Sequence, residues 1–208
     1  MQTQDRAAVK FASRVIIEDV NTGEVFLDDC NAVHPENLAY IIARGLANQN
    51  KSHIWKVAVG NGGSYVDTTG ALHFNIPNTI GTNAELYNET YSENADAVGN
   101  SVTAMASTTD VTSLVEVIFT IAPDEPGSGQ LLSDGQLLSN IQEPDDAHLA
   151  GNINNSSGYA FEFDELGLFA ESDDINQPYL LTHIVFHPIA KTQNRNLRLR
   201  YTLTISVS

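Results

Sequence analysis

The last thirteen residues, NLRLRYTLTISVS, alternate almost without interruption. Leu197, Leu199, Tyr201, Leu203, Ile205 and Val207 share one face, and Arg198, Arg200, Thr202, Thr204 and Ser206 share the other. A period of two marks a strand with one face buried and one wet. Segment 112–121 repeats the pattern, with Val115, Val117, Phe119 and Ile121 opposed to Thr112, Glu116 and Thr120. Segments 9–20 and 25–30 are rich in Val, Ile and Phe and flank Asn21-Thr22-Gly23-Glu24. Asn and Gly tolerate the turn geometry a hairpin needs, so these two read as a paired hairpin. Segment 179–190 reads as a strand with Pro188 near its end, where a missing N–H is tolerated. Segment 159–170, YAFEFDELGLFA, starts by alternating aromatics with acids. Segments 53–60 and 71–76 are shorter strands.

One stretch changes period. HPENLAYIIARGLANQN, 34–50, places Leu38, Ile41, Ile42 and Leu46 at helical spacing. Pro35 suits the first helical position, where its absent N–H costs little, and Glu36 suits the positive end of the helix dipole. The apolar stripe predicts that the helix lies on a sheet. Gly45 weakens the helix or admits a close neighbour.

Two segments show no sustained period. Segment 77–111 is rich in Asn, Thr, Ser, Ala and Glu; segment 122–158 holds Pro, Gly, acids and the near-duplicate QLLSDG and QLLSN. Asp134-Gly135 between the two Leu pairs predicts a small hairpin turn. The pattern as a whole predicts one mainly β domain over 1–208. Its expected fold is an antiparallel β-sandwich of about eight strands, with one packed α-helix and two long irregular insertions or assembly arms, 77–111 and 122–158.

Charge adds a partner argument. The chain of 208 residues has 26 Asp and Glu against 10 Lys and Arg, a net −16. Exposed phosphates and anionic lipid require a basic surface, so direct nucleic-acid or membrane-surface binding is not expected. The balance is −20 through Asp174 and +4 from Ile175 onward, because the last 34 residues carry Lys191, Arg195, Arg198 and Arg200 and no acid. A body of one sign with a tail of the other is suited to docking on a copy of itself. Cys30 is the single cysteine, so no intrachain disulfide or Cys-based zinc site is expected. The first twenty residues lack the apolar core of a signal peptide, and no run reaches the length of a membrane helix.

Candidate chemistry is sparse. WKVAVGNGGSYVD, 55–67, places Gly60, Gly62 and Gly63 after a strand, as phosphate-binding loops do. A P-loop needs a following Gly-Lys-Ser/Thr and a helix, and a dinucleotide fingerprint needs a sixth-position glycine where Tyr65 stands. The loop therefore reads as a tight turn using glycine's positive φ. His183 and His187 are four apart, but on a strand that separation is about 13 Å, too far to share an ion. His34 and His53 flank the helix without a third ligand. Acids near 171–174 could attract calcium, although no complete loop motif is present. Tyr87, Tyr91 and Trp55 could stack on a sugar. No catalytic residue, cofactor site or metal site is assigned.

Three stretches in order carry a resemblance. Asn31-Ala32-Val33-His34-Pro35-Glu36-Asn37 leads into the helix; 54–63 gives a strand ending in Gly-x-Gly-Gly; and Phe163-Asp164-Glu165-Leu166-Gly167-Leu168-Phe169 precedes a strand with Leu180-Leu181, Lys191 and a long last strand. This order resembles the tail-collar or fibre-type β-sandwich domain of tailed bacteriophages, over about half the chain. The resemblance implies a structural virion protein: a tail, neck, collar or baseplate adaptor that forms a multimeric ring and anchors fibres or other components. It implies assembly in the host cytoplasm and residence in the virion. It also implies that Gly167 permits close packing and that Leu168 or Phe169 is buried. Expected partners are copies of the chain and other virion proteins. The expected interface residues are Leu131, Leu132, Leu137 and Leu138 of the second insertion and Arg195, Arg198 and Arg200 of the basic tail. Alternatives are a capsid decoration protein or a jelly-roll, lectin-like module for carbohydrate or calcium.

Overall fold

A computed structural model describes residues 8–107, 112–123, 125, 132–133, 136–137, 160–173, 177–192 and 194–207. The elements in chain order are β1 (Val9–Asp19), β2 (Val25–Val33), α1 (Pro35–Leu46), β3 (Ile54–Gly60), β4 (Ser64–Val66), β5 (Leu72–Phe74), β6 (Glu89–Asn94), β7 (Ser101–Ala106), β8 (Thr112–Ile121), β9 (Leu132–Ser133), β10 (Gln136–Leu137), β11 (Ala160–Ala170), β12 (Tyr179–Thr192) and β13 (Leu197–Val207). The fold is mainly β, as expected.

Nine strands form one antiparallel sheet in the order β6-β3-β11-β12-β2-β1-β13-β8-β7. Its two halves are joined narrowly: only Ala32 and Val33 of β2 pair with His183 and Thr182 of β12. Apolar side chains of both halves share one core. Val15, Ile17, Val117, Phe119, Leu199 and Tyr201 come from one half, and Val57, Val59, Phe161, Phe163, Leu166 and Phe186 from the other. The sheet is thus folded over itself as a sandwich. Helix α1 supplies Leu38 and Ile41 to a second cluster with Ala170, Leu181 and Leu203, so it contacts both halves. His34 caps it, its Nδ1 accepting the Asn37 N–H at 3.2 Å. The buried face is Asn37, Leu38, Ile41 and Arg44. Leu46, expected on that face, is the last residue of the helix and is exposed. Gly45 has no close neighbour: a methyl added there would find Ser52 Oγ, at 3.9 Å, as its nearest contact.

The β1–β2 hairpin forms as predicted, with Gly23 at φ +73° and Asp19 Oδ1 accepting the N–H groups of Asn21 and Thr22. β13 pairs with β1 on one side and β8 on the other in unbroken register. Its alternation places Leu197, Leu199, Tyr201 and Leu203 inside, while Ile205 is half-buried and Val207 exposed at the end. β9 and β10 pair with Ser133 opposite Gln136; Asp134 and Gly135, the predicted turn between them, lie outside the described residues.

Segment 77–111 is not wholly irregular. It contains β6 and β7, the two edges of the sheet. Edge strands are paired on one side only. Every residue of β7 is exposed, so no alternation of apolar positions marks it in the sequence. The two edges are joined by only six residues, 95–100. Asn100 holds them together at that corner: its Oδ1 accepts the Thr120 N–H of β8 at 2.9 Å, and its Nδ2 donates to Asn94 O at 3.1 Å.

Segment 61–88, with the β4–β5 hairpin, lies over the outer face of β3, β11 and β12. Ala84 and Leu86 pack there on Ala58, Phe169 and Leu180. The central strands of this half are therefore covered on both faces, which accounts for the nearly continuous burial of β11. Gly167 sits in this layer. A Cβ there would lie 2.9 Å from Leu180, Leu86 and Phe169 side chains, so the glycine permits close packing, and Leu168 and Phe169 are both buried.

Candidate functional site

The glycine loop does hold carboxylates, and they belong to the chain itself. Asp164 and Glu165 are consecutive on β11, where a regular strand would point them to opposite faces. The β11–β12 register shifts between Phe163 and Glu165. The partners of Phe163 and Glu165 are Ile189 and Val185, so β12 carries two extra residues across from Asp164, and the irregularity resets the alternation. Phe161 and Phe163 before it, and Leu166 and Leu168 after it, all reach the same core, while both carboxylates meet the loop. Gly63 N–H donates to Asp164 Oδ1 at 2.8 Å. Ser64 N–H donates to Asp164 Oδ2 at 2.7 Å, and the Ser64 hydroxyl donates to the same oxygen.

Glu165 is fully buried. Its Oε1 accepts Gly62 N–H at 3.1 Å and Asn88 N–H at 2.7 Å. Its Oε2 accepts Tyr87 N–H at 2.9 Å and lies 3.1 Å from His183 Nε2. His183 Nδ1 accepts Asn78 N–H at 2.7 Å, so the ring proton sits on Nε2 and is donated to Glu165. Four donors occupy the roughly four lone-pair directions of one carboxylate. Burial pushes the Asp164 carboxyl up, opposed by the bonds from Ser64 and Gly63.

The loop glycines serve close approach and do not sit at positive φ, which is found at Gly23, Gly70, Gly81 and Gly99. A Cβ on Gly60 would collide with Asn88 O and Glu165 Oε1. On Gly62 it would lie 2.7 Å from Tyr87 Cβ, and on Gly63 2.6 Å from Asp164 O. The positive-φ expectation is corrected accordingly: the constraint is a neighbouring chain segment and not a backbone dihedral. Asparagines stitch the rest of the segment, with Asn75 Nδ2 donating to Gly62 O, Asn78 Nδ2 to Glu85 O, and Asn88 Nδ2 to Asn61 Oδ1.

Pinned this way, segment 61–88 displays large apolar side chains. Tyr65, Val66, Phe74, Ile76, Ile80 and Tyr87 are all exposed. Tyr65 stacks on His73 with ring centres 5.4 Å apart, and Phe74 meets His187 edge-on at 5.6 Å. Exposed apolar groups clustered on a rigid support are the usual composition of a protein contact surface. At the hairpin tip Asp67 accepts from the Thr69 hydroxyl and N–H, Ala71 N–H and His73 Nε2. These bonds, the Thr69 hydroxyl first, hold the Asp67 carboxyl well below the usual aspartate range. A lowered pKa means that the contribution is complete above the unfolded value, about 4, and is lost as pH falls below it. The Thr69 and Ala71 amide resonances should therefore shift between about pH 4 and acid in NMR titration, and this titration should vanish in Asp67→Ala.

The remaining predicted residues are distributed differently. Leu131 and Leu138 lie outside the described residues; Leu132 and Leu137 lie on the backbone of β9 and β10. Arg198 and Arg200 both reach Glu18, at 3.3 and 3.4 Å. Arg195 donates to Ala190 O at 2.7 Å and lies over the Phe26 ring. The basic tail is thus partly engaged with the chain's own strands. Asp173 pairs with Arg44 and Glu171 with Lys51. Among the described residues no group of three or more His, Cys, Asp or Glu is gathered for a metal ion, and no helix is long and apolar enough to cross a membrane. Tyr91 is buried in the core, which removes it from any sugar platform, and Trp55 lies in β3. A separate open groove of about 480 Å³ beside α1 is lined by Glu36, Tyr40, Asn83, Asp173, Gln177 and Tyr179 among others.

The chain matches no protein-family model, no curated protein and no solved structure. The signal that could have exposed the carboxylate lock is the break in alternation at Asp164. Its partners stand about a hundred residues earlier, so no local motif contains both sides.

Proposed function

We propose that the chain is a structural protein of a tailed-bacteriophage virion, an adaptor of the tail, neck or baseplate that assembles in multiple copies and anchors neighbouring components. The observation that carries this reading is the use made of the buried polar cluster. Asp164, Glu165 and His183 have their acceptors and donors filled by the chain itself. They present no free group to a substrate; they hold a rigid segment whose exposed Tyr65, Phe74, Ile76 and Ile80 suit burial against another subunit. The motif order around Gly60–Gly63 and Glu165–Phe169 supports the same reading. Leu131, Leu132, Leu137 and Leu138 of the second insertion are proposed as further contacts, and Arg195, Arg198 and Arg200 as a basic rim.

Mass spectrometry of purified particles from a culture carrying the gene should find the chain at a fixed copy number per particle. Its absence from particles while it accumulates in the lysate would remove the reading. A carbohydrate-binding module is the second reading. The groove beside α1 favours it, because the Tyr40 and Tyr179 rings line it beside carboxylate and amide groups. Glycan-induced NMR shifts at Tyr40 and Tyr179, with no particle association, would select it.

A further inference from the structure

The two edges of the nine-stranded sheet differ, and the difference points to a specific self-contact. β6 carries Glu89 and Glu93 and has β9 lying against it. Glu89 is tied to Lys56 at 2.7 Å. β7 is Ser-Val-Thr-Ala-Met-Ala, and all six residues are exposed. Val102 and Met105 stand 42% and 41% exposed there. Open edges are normally blunted by Lys, Pro, an inward charge or a bulge, because their unpaired N–H and C=O groups template another strand. β7 has none of these, and its register with β8 runs from Ser101–Ile118 to Ala106–Ser113 without a shift. The surrounding stretch 97–109 contains no charged residue in a chain of net −16.

We propose that β7 is a homotypic pairing edge: β7 of a second copy adds antiparallel across a two-fold axis, continuing the sheet from one subunit into the next. Antiparallel pairing of a strand with itself is self-complementary, as a two-fold interface requires. Charge selects the partner edge. Pairing β6 with β6 sets Glu89 and Glu93 of two copies along one seam, where like charges are unfavourable. Pairing β7 with β7 brings no charge into the seam, so two strongly acidic bodies can meet there. Ser, Thr and Ala are interspersed with Val102 and Met105, which leaves room for the neighbouring strand on both faces. The Asn100 bonds to Thr120 and Asn94 fix the start of β7, so the edge is held in place before a partner arrives. This inference stands whether or not the chain is a virion component.

Sedimentation velocity over a concentration series, with hydrogen exchange on the same samples, tests it. The wild-type chain should show a monomer–dimer equilibrium, with the β7 amides that point away from β8 protected only as the dimer fills. The double variant Thr103→Lys, Met105→Lys should weaken the dimer about tenfold or more while its melting temperature, measured at concentrations where both proteins are monomeric, is unchanged, since both positions are exposed. The variant also reduces the net negative charge, so association governed only by overall repulsion would strengthen instead. Leu46→Lys, exposed on α1, is the matched control and should leave the dimer intact. A wild-type chain that stays monomeric at high concentration overturns the proposal. So does a dimer that survives the double Lys change, or protection in the monomer of the β7 amides that point away from β8, which would mean that another part of the chain covers the edge.

Discussion

Glu165→Ala should be among the most damaging single changes in the described part of this protein, costing about 3–5 kcal/mol, since several buried donors lose their acceptor at about 1–3 kcal/mol each and relax only in part. The loss follows from the donors left behind. Gly62, Tyr87 and Asn88 N–H and His183 Nε2 all point at this carboxylate, and each becomes an unpaired polar group under segment 61–88. Urea unfolding reads the energy. Hydrogen exchange locates it, because the amides of Gly62, Tyr87 and Asn88 should lose protection before those of β1 or β13. Glu165→Gln keeps the shape but turns one acceptor into a donor facing N–H groups, so it should fall between wild type and alanine. An alanine variant that unfolds at the wild-type urea concentration would contradict the lock.

The second large effect is Gly63→Ala. Its new methyl would stand 2.6 Å from the Asp164 carbonyl oxygen and 2.9 Å from Val185. The first neighbour is backbone on a central strand and cannot give way cheaply, so the cost should be near the upper end of overpacking, roughly 3 kcal/mol. Gly23→Ala is the informative comparison. Gly23 has φ +73° and open space where a methyl would stand, so only the dihedral penalty applies, roughly 1 kcal/mol. If chemical denaturation gives the two variants equal losses, close approach is not what the loop glycines provide.

Legibility in the sequence followed burial geometry. β1, β8 and β13 announce themselves because each has one apolar face and one wet face, and Val117, Phe119, Leu199 and Tyr201 fall where alternation puts them. β6 and β7 lie at the edges and their side chains have no uniform dry side, so segment 77–111 reads as irregular. Leu46 has the right spacing for the helix stripe, but spacing does not say where the helix ends. The glycine loop shows its glycines but not their reason. Gly63 meets Asp164 and Asn78 meets His183, contacts separated by 101 and 105 positions. A linear pattern carries no term for such pairings. The aromatic–acid alternation of β11 does carry a trace of the site, since it fails at the bulge that turns Asp164 and Glu165 together.

The position of β13 has a consequence for the order of events during synthesis. It lies between β1 and β8, strands that are translated well before it, β1 being the first of the described elements. Until residues 197–207 leave the ribosome, β1 and β8 face each other across a missing strand, with Val15, Ile17, Val117 and Phe119 lacking their central neighbour. Contacts so distant along the chain make folding slow and leave apolar edges open in the interval. A chain halted at Asn196 therefore differs from one that includes β13 by more than those residues: it carries two adhesive edges that β13 is shaped to fill.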